Sequence, residues 1–132
     1  QWFGVCLNND DDVEGISWMI NCRKGTIDFQ WLPHTVEFLK ITLTHISGVV
    51  AWECLPSGLK QLNLTENRFG GTVDLERLPD SLRRLQIQMN SFVGSICLAN
   101  LPHELFWLNV NQNALTGTVD LTRLPETLEA LF

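Results

Sequence analysis

Apolar residues recur along this chain at intervals that fit neither a helix nor an isolated strand. In the stretch LPDSLRRLQIQMN, residues 78–90, Leu78, Leu82, Leu85 and Ile87 demand burial, yet their spacing follows neither the helical nor the alternating period throughout. The prolines explain the unevenness. Pro33, Pro56, Pro79, Pro102 and Pro125 stand 23 residues apart, and a fixed period of that size marks a solenoid of stacked repeats. Counted from each proline, the third residue is Val36, Leu59, Leu82, Leu105 and Leu128, and the sixth is Leu39, Leu62, Leu85, Leu108 and Leu131. The eighth reads Ile41, Leu64, Ile87 and Val110, and the thirteenth reads Ile46, Phe69, Phe92 and Leu115. Thr44, Asn67, Asn90 and Asn113 form the eleventh column, and the fifteenth is glycine in every copy: Gly48, Gly71, Gly94 and Gly117. Extending the frame backwards places Val13, Ile16, Trp18, Asn21 and Gly25 on the same columns. The pattern predicts a cap segment at 1–9, five repeats at 10–32, 33–55, 56–78, 79–101 and 102–124, and the start of a sixth at 125–132.

The unit LPxxLxxLxLxxNxFxGxVxL, as in LPSGLKQLNLTENRFGGTVDLER, resembles a leucine-rich repeat over nearly the whole chain. Its second half, NRFGGTVDL or NALTGTVDL, is similar to plant-type repeats, and its LP-bounded form resembles surface and secreted proteins of some protists. The resemblance implies an α/β-type repeat solenoid, a right-handed superhelix with a concave parallel β-sheet, short convex strands or turns, and little regular helix. Elementary chemistry points the same way. In LxLxx, alternation makes one short strand with leucines inward. The asparagine amide can satisfy backbone groups that the turn after the strand leaves unpaired; this column comprises Asn21, Asn67, Asn90 and Asn113. The GTVDL run reads as a second, convex strand. Each coil buries its apolar columns only against its neighbours, so no single repeat folds alone. Leu128, Leu131 and Phe132 read as a raw apolar edge, which either is continued in a longer protein or meets a partner end to end or in a complex.

The segment WFGVC resembles the WxGVxC cap of plant-type extracellular repeats, with its cysteine one residue early. The family's partner cysteine before the tryptophan has no counterpart here. Cys22 is the nearby alternative for Cys6, and two separate thiols are the other reading. Cys54 and Cys97 lie two coils apart at different columns, too far for a bridge. One sequon, Asn63-Leu64-Thr65, marks Asn63 for N-glycosylation if the chain is secreted; otherwise it is a polar pair flanking a core leucine.

Function is read from the outward strand positions, five, seven and nine after each proline. Coils two to five place there Phe38, Lys40 and Thr42; Gln61, Asn63 and Thr65; Arg84, Gln86 and Gln88; Trp107, Asn109 and Asn111. Amides and hydroxyls around Phe38 and Trp107 suit a protein, peptide or glycan ligand better than an ion. Arg84 and Trp107 are the anchors by residue type. A formal net charge of −6, with no basic stripe following the repeats, argues against nucleic acid as a partner. No apolar stretch reaches membrane length.

On the convex side Asp28, Asp74 and Asp120 alternate with Ala51 and Cys97, a spacing too long for shared metal ligation, and a duplicated pair of repeats accounts for it. His34, His45 and His103 accompany no nucleophile motif, and the acidic run at 8–12 lacks the spacing of a calcium loop, so no catalytic residue, cofactor or metal is expected. Two functions remain: a non-enzymatic recognition module in a surface or secreted protein, or a scaffolding subunit docked through its C-terminal repeat edge, with an intracellular assembly as its setting.

Overall fold

The structure, a computed structural model, describes residues 4–19 and 25–132. Asn21 and Cys22 lie outside the described residues, and with them the first coil's share of the asparagine column and the Cys6–Cys22 pairing. Among the described residues twelve strands follow in chain order: β1 Val5–Leu7, β2 Val13–Met19, β3 Gly25–Thr26, β4 Phe38–Thr42, β5 Ile46–Val49 and β6 Gln61–Asn63, then β7 Arg68–Thr72, β8 Arg84–Gln86, β9 Ser91–Gly94, β10 Trp107–Asn109, β11 Ala114–Leu115 and β12 Ala130–Leu131. They form two sheets. The concave sheet has the order β1-β2-β4-β6-β8-β10-β12, and the convex sheet has the order β11-β9-β7-β5-β3. Every pair is parallel except β1 with β2.

Register keeps like columns side by side. Ile16 lies against Leu39, Leu39 against Leu62, Leu62 against Leu85, Leu85 against Leu108 and Leu108 against Leu131. One slip by a residue would turn each leucine to solvent. Between the sheets, Val36, Leu59, Leu82 and Leu105 are buried in one stack, and Phe69 and Phe92 fill the space behind the strands. At about 1.5–3 kcal/mol per buried side chain, these stacks supply the main attraction between coils.

The asparagine column adds direction. Asn90 Nδ2 donates to the carbonyls of Ile87 and Gln88 in its own coil and to Leu64 in the coil before, at 3.1, 3.2 and 2.8 Å. Its Oδ1 accepts the Phe69 N–H of the preceding coil at 3.0 Å. Asn113 repeats the arrangement with Ile87, Val110 and Asn111 as acceptors and Phe92 N–H as donor. Asn67 binds Ile41, Leu64 and Thr65, and its Oδ1 accepts from both the N–H and the hydroxyl of Thr44. Just before each of these residues the chain adopts positive φ without glycine, at Leu43, Glu66, Met89 and Gln112. At Glu66, Met89 and Gln112 the amide side chain that follows holds the backbone in a conformation that these residues rarely take.

Three sequence expectations change. The second strand starts before GTVDL and takes in only its first residues: β7 ends at Thr72 and β9 at Gly94, with Gly71 and Gly94 at φ of 82° and 85°. The VDL segment instead enters a single 3-10 turn, as at Phe29–Trp31 and Leu75–Arg77. Asp28 and Asp74 accept the N–H two residues on and so cap these turns, and Asp120 likewise accepts from the N–H and hydroxyl of Thr122. Those two bonds hold the Asp120 carboxyl below its usual pKa. The alternating aspartates therefore have a structural role that duplication alone does not give them; Ala51, which precedes Trp52–Cys54, makes no side-chain cap.

Trp18 stands on an inward column but is 36% exposed. Among the described residues β1 pairs with β2 only from Val13 to Ile16. Gly4 closes this edge: its carbonyl accepts Ser17 N–H at 2.7 Å, and a Cβ there would lie 2.3 Å from the Ser17 oxygen. The turn at 8–12 is held by Asn8, whose Oδ1 accepts from the backbone of Asp10 and Asp12. At the other end Val119 and Leu121 are exposed.

Asn90→Ala removes one acceptor and three donated bonds and leaves buried backbone groups unpaired. It is expected to cost about 2–4 kcal/mol in urea denaturation, whereas Asn111→Ala, at an exposed position, costs under about 1 kcal/mol.

Candidate functional site

The outward residues of β2, β4, β6, β8 and β10 form one continuous face. Register places Gly15, Phe38, Gln61, Arg84 and Trp107 in one row and Ser17, Lys40, Asn63, Gln86 and Asn109 in the next. Phe38, Lys40, Gln61 and Asn111 are exposed, whereas Asn63, Thr65, Gln86, Gln88 and Asn109 are half-buried. The side chains bond along the row and along the strand. Asn63 Nδ2 donates to Gln86 Oε1 at 3.2 Å, and its Oδ1 accepts from Thr65 N–H at 3.0 Å and from the Thr65 hydroxyl at 2.6 Å. The sequon amide is thus engaged within the face. Asn109 Oδ1 accepts the Asn111 N–H in the same way.

Charge is distributed unevenly. Beside this face, Lys60 pairs with Glu37 at 2.6 Å and Arg83 with Glu104 at 2.7 Å. On the face itself stand Lys40 and Arg84 and no carboxylate. Among the described residues Arg84 has no ion-pair partner. Its guanidinium instead sits 5.2 Å from the Phe106 ring and 5.4 Å from that of Trp107. Trp107 in turn meets Phe132, ring centres 5.3 Å apart.

Phe132 directly follows the terminal strand of the concave sheet. Its backbone continues β12, donating to Leu108 and accepting from Val110, and its side chain falls seven places after Pro125, on the concave face. Leu128 and Leu131 pack against the core. Phe106 was invisible as a site residue because it stands one place before the outward row. Trp107, enclosed by Arg84 and Phe132, is half-buried rather than a free stacking platform.

Four buried side-chain atoms of the described residues lack a hydrogen-bond partner: Thr42 Oγ1, Arg84 Nε, Gln88 Oε1 and Trp107 Nε1. All four belong to concave positions. A buried polar atom without a partner costs about 1–3 kcal/mol, so the face carries unused hydrogen-bonding capacity. A separate cleft of about 570 Å³ at the return corners is lined by Glu76, Asp80, Asn100, His103, Arg123 and Glu126 among others, but its Glu76 carboxylate already binds Asn100. No group of three or more metal-ligating side chains occurs among the described residues. Cys6, Cys54 and Cys97 are not joined to one another.

No protein-family model matches the sequence, and no curated protein matches it significantly. Solved structures do. The chain is similar to Pollen Receptor Kinase 3 with a TM-score of 0.78 and 23% identity, covering 99% of this chain and 64% of that one. For the BIR3–SERK2 complex from Arabidopsis thaliana the TM-score is 0.68 and the identity 20%, over 89% of this chain and 66% of that one. For the plant peptide hormone receptor RGFR1 in complex with RGF2 the values are 0.70 and 23%, over 87% and 19%. The chain spans less than two thirds of each of these chains. With its 23-residue coils, concave parallel sheet and asparagine column, it has the leucine-rich-repeat fold.

Phe132→Ala is expected to raise acrylamide quenching of Trp107 fluorescence, read against Trp107→Phe, at a stability cost of about 1 kcal/mol. Unchanged quenching would show that the two rings do not pack.

Proposed function

We propose that this chain is a non-enzymatic recognition module that binds a protein, peptide or glycan on its concave face. The observation carrying this reading is the concentration there of all four unpartnered buried polar atoms of the described residues. The binding residues are Phe38, Lys40, Gln61, Asn63, Thr65, Arg84, Gln86, Gln88, Trp107, Asn109 and Asn111. Two structural neighbours support a protein or peptide partner: RGFR1 was solved in complex with RGF2, and BIR3 with SERK2. Likeness to plant receptors also supports an extracellular or surface setting, in which Asn63 would meet the glycosylation machinery. No helix among the described residues is long and apolar enough to cross a membrane.

A second reading rests on the exposed Val119 and Leu121 at the last coil. There the chain is a scaffolding subunit docked through that end, with Leu128 and Leu131 behind it.

Selection of extended peptides from a displayed library separates the two. Under the first reading, Gln61→Glu and Gln86→Glu weaken the selected peptides about tenfold or more, while Thr72→Arg and Arg77→Glu on the convex side leave them unchanged. Equal loss from both sets, or loss only with Val119→Lys and Leu121→Lys, would overturn it.

A further inference from the structure

We infer that Arg84 and Trp107 form a subsite for a ligand carboxylate on the concave face. This rests on the recognition reading above and gives that ligand its chemistry, an extended peptide with an acidic group.

Three features lead there. First, the two unpartnered N–H donors of the face are neighbours: Arg84 pairs in register with Trp107, and Arg84 Nε and Trp107 Nε1 are both buried without an acceptor. Adjacent parallel strands lie about 4.8 Å apart, so two donors on them can converge on the two oxygens of one carboxylate. Second, the cation is uncompensated. A protein of net charge −6 has acids to spare, and Lys60 and Arg83 beside the face each take one, yet Arg84 has none among the described residues. Arg84 lies over the Phe106 and Trp107 rings instead, and Trp107 meets Phe132. Such a setting lowers the local dielectric and strengthens a charge-assisted bond. Third, the remaining partnerless groups suit a chain rather than a free acid. Gln88 Oε1 lies four residues along β8's direction from Arg84, about 13 Å at strand rise. It is an acceptor, and a peptide N–H is its natural donor. Lys40, two coils away and about 10 Å along the stack, extends the positive path. Both donors are buried, and the exposed Phe132 stands against Trp107, so rotation of Phe132, a motion common at interfaces, opens the Trp107 side to the carboxylate.

The test uses the full chain labelled with nitrogen-15 and follows the Trp107 indole N–H, identified through Trp107→Phe. Three peptides are titrated: acetyl-Ala-Asp-Ala-amide, acetyl-Ala-Ala-Ala with a free terminal carboxylate, and acetyl-Ala-Asn-Ala-amide. At least one carboxylate peptide should move the indole signal downfield in a saturable way, the stronger of the two naming the source of the carboxylate. The asparagine peptide should leave it in place. Arg84→Gln should weaken the effect about tenfold or more, and Arg84→Lys, which keeps charge but loses the planar donor, should weaken it less. An asparagine peptide that shifts the indole as far as the aspartate peptide, or a response that survives Arg84→Gln, would overturn the carboxylate subsite while leaving concave-face binding intact. Failure of every peptide to move any concave resonance would count against both. Unchanged spectra of the second coil in Arg84→Gln show that the variant folds.

Discussion

The asparagine amide between successive coils is the interaction on which the rest of the structure depends. A parallel stack held only by leucines has strong attraction and weak direction, because apolar burial does not distinguish one rotation of a coil from another. Asn90 and Asn113 supply direction. Each donates to its own coil and to the one before, and each accepts the N–H of a core phenylalanine in that earlier coil. One side chain thereby fixes where the strand ends, holds the left-handed residue before it and sets the spacing to the next coil. Thr44, the threonine in that column, donates its hydroxyl and N–H to Asn67, so that with the Asn67 bond to Ile41 three such bonds join the second coil to the third, against two through each of Asn90 and Asn113.

Because the strands end in the same place in every coil, the outward residues fall into straight rows. That makes a face of short side chains into a surface with defined distances. Arg84 and Trp107 meet only because Leu85 and Leu108 behind them are in register. Polar residues that bond to each other along the rows, as Asn63 does with Gln86, are largely satisfied, and the unsatisfied ones gather at positions five and nine. The burial that stabilises the solenoid and the polarity that serves recognition are therefore the two sides of the same strand.

Much of this was legible from the sequence because burial enforces the period. The leucine and phenylalanine columns, the glycine corner and the outward rows follow from counting forward from each proline. The second strand was misplaced because TVDL has the β-branched alternation of a strand, while the aspartate in it favours a capped turn; the Asx signal was present and the stronger of the two. Trp18 obeys its column but lies at an end where the neighbour is a three-residue strand. Phe132 stands seven places after its proline, an outward place in the count, and at the same time directly follows the terminal strand. The stacking of Arg84 on Phe106 and Trp107 was not legible at all, since Phe106 belongs to neither an inward nor an outward column, and only side-chain reach across coils brings the three together.

A solenoid locked coil to coil should open as a unit through its centre. Amide hydrogen exchange at Phe69 and Phe92, whose N–H groups are held by the asparagines of the following coils, measures this most directly. Exchange at both positions only through global unfolding, at the same free energy as Leu62 and Leu85 in the concave strands, is the predicted result. Fast exchange at Phe69 and Phe92 while those strands stay protected would contradict it, and would show that the leucine stacks alone set the geometry of the face.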